Sequence, residues 1–283
     1  MKIPKRIILS RKGFDSRFGG CASPILPDGA MISMPIAEKE MLVKYQDIQA
    51  GKNYTLGDLI GKLKGHNVRA DSGVHLDPDV RKELHGASQG PWRPIFGQCG
   101  IAARHLAKQS VDADDLFLFF GWFRRVDENF QYVRDAADKH VIWGWLQVDD
   151  HPLDPKEIEP EWAKHHPHFI KKDREHNRAY VGRKALSFAP SKPGAGAFAT
   201  YKTDFGLTCQ SQTRRRSDWQ IPSFFQKGLT YHDTTGWVRS GSSCTFSAAK
   251  IGQEFVFDTS GQESEVQAWL NKLFADVPNG TSY

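Results

Sequence analysis

Apolar residues are gathered in a few short, dense runs separated by long polar stretches. RIILS (6–10), DLFLFFGWF (115–123) and HVIWGWLQV (140–148) are the densest, each bounded by charged residues. Runs of this length, rich in Ile, Val, Phe and Trp, predict buried strands rather than helices. A charged and polar connection joins the second run to the third, so the two are expected to pair as a long hairpin in a central sheet. MISMPI (31–36), AYVG (179–182) and EFVFD (254–258) are weaker strand candidates. Helical periodicity is clearest in TLGDLIGKLKG (55–65), with Thr55 as N-cap and Gly65 as the stop, and it recurs in 98–109 and 263–277. Strands outnumber helices and no strand–helix alternation runs the length of the chain. The pattern therefore predicts an α+β fold, one domain over 1–283, on a mixed central β-sheet with flanking helices. SKPGAGAFATYKTDFG (191–206) is the most linker-like stretch, but its aromatics predict a packed loop.

Charge changes this picture more than composition does. The net charge is only +5, yet the cations cluster in RKGFDSR (11–17), FIKKDREHNR (169–178) and TRRRSDW (213–219). Basic clusters interleaved with aromatics suit a DNA partner, with cations for phosphate and rings to stack on bases, although each cluster alone is also an ordinary solvated face. No apolar run approaches the length of a membrane span, and the N-terminus lacks the apolar core of a signal peptide. A cytoplasmic protein with no membrane partner is expected. The four cysteines, Cys21, Cys99, Cys209 and Cys244, have no zinc-ligand spacing and are read as reduced thiols.

The chain has no phosphate-binding P-loop, no dinucleotide fingerprint, no nucleophile elbow and no zincin or zinc-deaminase motif. Five stretches carry candidate chemistry instead. In SRKGFDSRFGG (10–20), Arg11 and Lys12 stand at the end of a strand, and Asp15 is either a working carboxylate or the cap of a turn. In VHLDPDV (74–80), His75, Asp77 and Asp79 share one face if the segment is extended, which suits acid–base work or a hard-metal site for Mg²⁺. The alternative there is a helix start, with Asp77 as N-cap and Pro78 at the first helical position. Gln98 sits where a helix begins, and His105 lies two turns further along the same face. Trp122, in an aromatic strand ending at Arg124, offers a stacking surface. His165, His166 and His168 in KHHPHF resemble metal ligands, but Pro167 interrupts them and no carboxylate lies at a recognised spacing. No metal and no other cofactor is expected.

Taken in order, SRKGFDSRFGGCASPILPDGAMISMPI, HLDPD, RPIFGQCGIAARHL, DLFLFFGWFR, HVIWGWLQV, HHPHF, YVG and GQEFVFDT resemble the nucleotide modification associated domain of the third type. The resemblance covers roughly residues 6 to 275. It implies work on modified bases in DNA, in a prokaryotic and phage-linked setting. Cys21 and Cys99 stand where the family carries small residues, which speaks against a cysteine nucleophile. The reaction is argued from the residues, whose carboxylates, amides, rings and cations suit cleavage of the N-glycosidic bond of a flipped-out modified base. In that reading Asp15 or Asp77 is catalytic with His75 assisting. Ser10, Phe14, Gln98, His105 and Trp122 line the base pocket. Arg11, Lys12, Arg124, His166, His168, Arg214, Arg215 and Arg216 hold the DNA. A transferase that builds a hypermodified base, and a non-catalytic reader of modified DNA, are the alternatives.

Overall fold

A computed structural model describes residues 2–63, 65–85, 91–210, 215–230, 238–248 and 254–283. The strands in chain order are β1 (Arg6–Arg11), β2 (Ser23–Ile25), β3 (Gln49–Gly51), β4 (Tyr54–Thr55), β5 (Ile95–Gln98), β6 (Leu116–Arg125), β7 (Lys139–Gln147), β8 (Arg178–Val181), β9 (Ala195–Ala197), β10 (Asp218–Pro222), β11 (Val238–Ser240), β12 (Ser243–Ser247) and β13 (Glu254–Asp258). The α-helices are α1 (Leu56–Lys62), α2 (Gly100–Lys108), α3 (Pro167–Ile170) and α4 (Glu263–Leu273). The fold is α+β, as the apolar pattern predicts.

The main sheet has the order β13-β1-β6-β7-β9, with β2 also paired to β6. β1 and β6 run parallel, while β13, β7 and β9 are antiparallel to their neighbours. The two heaviest apolar runs are adjacent here as β6 and β7. Their side chains are buried on both faces of the sheet, which is why they read as continuous rather than alternating. A register irregularity between Phe119 and Phe120 leaves Trp143 of β7 without a partner on β6. Such a bulge turns a side chain out of the ladder's regular alternation.

β1 and β2 share one edge of β6. β1 covers Leu116 to Phe120 and β2 covers Phe123 to Arg125, so the chain between them leaves the sheet opposite Gly121 and Trp122. A Cβ on Gly121 would lie 2.8 Å from the Lys12 carbonyl oxygen, so this close departure requires glycine. Residues 14–76 build a second apolar cluster, with Phe14, Tyr45, Leu56 and Leu59 at its centre. α1 starts as the sequence predicts: Thr55 accepts the Asp58 amide, and the Asp58 carboxylate accepts the Thr55 amide in return.

Two local expectations fail. MISMPI forms one isolated bridge, Met31 with Ile25, rather than a strand. The helix start at Asp77–Pro78 does not form, and the next helical turn begins only at Lys82. Asp79 instead exchanges two backbone hydrogen bonds with Ile95 of β5. Long-range pairing with β5 overrides the local capping signal. The glycine-rich 191–206 stretch packs as expected and contributes the edge strand β9. Among the described residues, no helix is long and apolar enough to cross a membrane.

Candidate active site

The site forms where β1 and β5 end together. Ser10 and Lys12 lie two residues apart along the end of β1 and project to one side. The Ser10 hydroxyl donates to Glu254 Oε1 at 3.0 Å, and Lys12 Nζ stands 3.3 Å from Asp77 Oδ2. On β5 the same two carboxylates are held by adjacent residues. The Gly97 amide donates to Asp77 Oδ1 at 2.6 Å, and Gln98 Nε2 donates to Glu254 Oε1 at 2.5 Å. Two strand ends thus clamp two buried carboxylates side by side. Lys12 acts on both of them and also lies over the Phe96 ring, 4.3 Å from its centroid.

The two acids are placed in opposite electrostatic settings. Burial pushes both pKa values up. For Asp77 the nearby Lys12 charge, with hydrogen bonding from His166 and His75, outweighs burial and holds it well below the usual carboxylate range. For Glu254 burial wins over Lys12, Ser10 and Gln98, and its pKa is raised. Its Oε2 is buried with no hydrogen-bond partner. One acid is kept ionised and the pKa of the other is pushed up, the pattern by which neighbouring carboxyls take divided acid and base roles.

Three histidines surround Asp77. His75 Nε2 is 3.7 Å and His168 Nε2 3.9 Å from Asp77 Oδ2, and His166 Nε2 is 3.2 Å from Oδ1. His75 arrives by the alternation of an extended segment, two residues before Asp77. His166 and His168 arrive because Pro167 opens α3, with His166 as its N-cap. The proline that interrupts the histidines in sequence therefore sets them on one side in space. The outer nitrogens are held as well. His75 Nδ1 is 2.6 Å from Glu38 Oε2, and Glu38 is in turn paired with Arg174 and Lys171. His168 Nδ1 is 2.5 Å from Asn177 Oδ1. Burial pulls the His168 pKa down to about 3 against the attraction of Asp77, so this ring is neutral. For His75, hydrogen bonds to Asp77 and Glu38 overcome burial and raise the pKa.

A cavity of about 20 Å³, lined by Gly13, Ser33, Asp77, Arg81 and Trp143 among others, adjoins the cluster. It is large enough for a single water molecule. The bulge residue Trp143 forms part of its wall.

The other expected site residues divide into three groups. Asp15 is the turn cap: its Oδ1 accepts the amides of Arg17 and Phe18, each at 2.7 Å, and its Oδ2 lies 3.9 Å from Arg11. Phe14 does not face a base pocket, because its ring is buried in the second apolar cluster, edge-on to Tyr45. His105 is half-buried on α2, 3.4 Å from the Thr230 hydroxyl.

The expected DNA contacts are also redistributed. His166 and His168 are buried beneath the surface and serve Asp77 instead. The side chains of Arg11 and Lys12 turn inward, 5% and 13% exposed, toward Asp15 and Asp77. Arg124 donates to the carbonyls of Val133 and Arg134 and so braces a loop. Arg215 is at the surface beside Asp218. Arg216 lies over the Trp122 ring, 4.0 Å from its centroid, and also bonds Ser16. Arg214 lies outside the described residues.

Sequence reading missed Glu254, Glu38, Asn177 and Gly97. The one visible signal was Glu254, an acid opening an otherwise apolar strand whose first four residues are all buried. These paired strand ends and the two clamped carboxylates coincide with the segments that first suggested a family. Residues 6–258 match the family model described as nucleotide modification associated domain 3. The chain belongs to this family. No curated protein and no solved structure matches it. Membership fits a role with modified nucleotides, and the matched span of this nucleotide modification associated domain includes Ser10, Lys12, Asp77, Gln98 and Glu254.

Proposed function

We propose that the chain hydrolyses the N-glycosidic bond of a flipped-out modified base in DNA. The observation that carries this reading is the pair of buried carboxylates clamped between the ends of β1 and β5, one with its pKa held low and the other with its pKa raised. Breaking the bond leaves its electron pair on the base nitrogen and positive charge on the sugar. Glu254 supplies the proton that neutralises the departing base. Asp77 faces the developing positive charge and orients the water, whose oxygen bonds to the anomeric carbon and whose proton passes to the Asp77–His166 pair. The water-sized cavity beside Asp77 suits that nucleophile. Arg215 and Arg216, the latter stacked over the Trp122 ring, supply cations for the strand that carries the base.

The test incubates the protein with modified phage DNA and with unmodified DNA, then assays abasic sites and free base. Abasic sites in the modified DNA alone support the reading. A new base mass that requires an added donor replaces it with the transferase. Tight binding with chemically unchanged DNA replaces it with a reader.

Glu254 gives a separate pH prediction. As an acid it works below its raised pKa, so the rate falls as pH rises through that value. Glu254→Gln should lower the rate by about 10²–10⁴ and remove this alkaline limb. The same group affects stability. A carboxyl with a raised folded pKa contributes stability that is complete below its unfolded pKa and lost as pH rises through the folded one. Thermal unfolding of wild type and Glu254→Gln should therefore converge at low pH. At high pH the neutral variant should be the more stable.

A further inference from the structure

The geometry points to a divalent transition-metal site formed by His75 Nε2, Asp77 Oδ2 and His168 Nε2. These three donor atoms lie within 4.8 Å of one another, and all three residues are buried. Tetrahedral nitrogen and oxygen ligands at roughly 2.1 Å from such an ion stand about 3.4 Å apart. The 3.7 Å and 3.9 Å separations from Asp77 need only a small inward movement.

The hydrogen bonding behind the rings is the independent observation. Asn177 Nδ2 donates to the carbonyls of His168 and Lys172, which fixes its amide so that Oδ1 faces His168. That oxygen accepts only, so His168 Nδ1 carries the proton and the Nε2 lone pair is directed at Asp77. His75 Nδ1 likewise meets the Glu38 carboxylate, an acceptor, and a bound ion would take the place of the proton that His75 Nε2 directs at Asp77. At His168 a buried lone pair faces the carboxylate, an arrangement that a cation bound between them relieves. Carboxylate or amide oxygens behind metal-binding imidazoles are the usual supports of such ligands. His166 differs: its Nδ1 accepts the His168 amide at 3.4 Å, which leaves an N–H toward Asp77 Oδ1. It stands beside the ligand carboxylate, 3.2 Å from Oδ1, and is not itself a ligand.

Two imidazoles and one carboxylate suit zinc, cobalt, manganese or ferrous ions rather than calcium or magnesium, and they leave coordination positions for water. Use of that water as the nucleophile rests on the glycosidic reading. Binding of the ion does not.

The test uses the full chain, stripped with chelator and dialysed, with no DNA present. Titration with Zn²⁺ by calorimetry, and with Co²⁺ by visible absorption, should show one equivalent and the ligand-field bands of a low-coordinate nitrogen–oxygen site. His75→Gln and His168→Gln should each weaken binding at least tenfold. His151→Ala, which removes an exposed histidine beside Asp112, should leave binding unchanged. Asn177→Ala keeps all three ligands and should weaken binding by about threefold to thirtyfold, so the test does not depend on ligand variants folding. Absence of stoichiometric binding by wild type to Zn²⁺, Co²⁺, Mn²⁺ or Fe²⁺ would overturn the site and identify Lys12 as the resident cation of Asp77. So would binding that survives both glutamine variants. Metal binding without abasic-site formation would retain the site and reject the glycosidic reaction.

Discussion

Asp77→Asn is expected to lower release of a modified base by about 10³-fold or more, the range for loss of a positioned acid–base group. The substitution keeps the oxygen that accepts the Gly97 amide, and so preserves the β5 contact. It removes the negative charge that faces Lys12. Leaving such a cation without its buried partner typically costs 3–5 kcal/mol when the pair is truncated, and an isosteric amide should cost less. The thermal midpoint should therefore fall while the circular dichroism spectrum stays native. Asp15→Asn is the matched comparison. Asn keeps the side-chain oxygen that caps the turn to Arg17 and Phe18, so activity should remain within about twofold of wild type. Equal losses in the two variants would reject the division of roles between the carboxylates.

Gly97→Ala should damage the site through packing alone. A Cβ at this position would lie 2.2 Å from two carbons of the His168 imidazole. That ring cannot swing aside, because it is buried and tied to Asn177. Either β5 or α3 must move, and overpacking of this kind costs roughly 1–3 kcal/mol. Both outcomes displace His168 from Asp77, so base release should fall together with the unfolding midpoint. Gly100→Ala separates the two effects. Its φ is +62°, yet nothing lies within 4 Å of an added Cβ. It should cost about 1–2 kcal/mol from left-handed backbone and leave the rate unchanged. A fully active Gly97→Ala protein would show that the placement of His168 does not matter to the reaction.

Local pattern carried the architecture. The three dense apolar runs became β1, β6 and β7, and the three periodic segments became α1, α2 and α4, because burial period and capping are encoded within each segment. His75 and Asp77 were recognisable as neighbours on one face because alternation is also local. The partners of that pair were not recognisable in this way. Gln98 and Glu254 meet across 156 residues, and Arg174 reaches Glu38 across 136. No spacing rule connects such positions.

Sequence also misjudged direction. Basic and imidazole side chains at 11–12 and 166–168 looked like phosphate contacts, because an isolated cation has no visible partner in a one-dimensional reading. Folding supplied Asp77 as the buried partner of Lys12, His166 and His168, and Asp15 as the neighbour of Arg11, and electrostatics in a low-dielectric interior then turned the side chains inward. The sequence alone determined the principal strands β1, β6 and β7, the helices α1, α2 and α4, and the family. Only the tertiary structure decided which carboxylate is a turn cap and which is the centre of the site, because that depends on what surrounds a charge, and distant segments supply those surroundings.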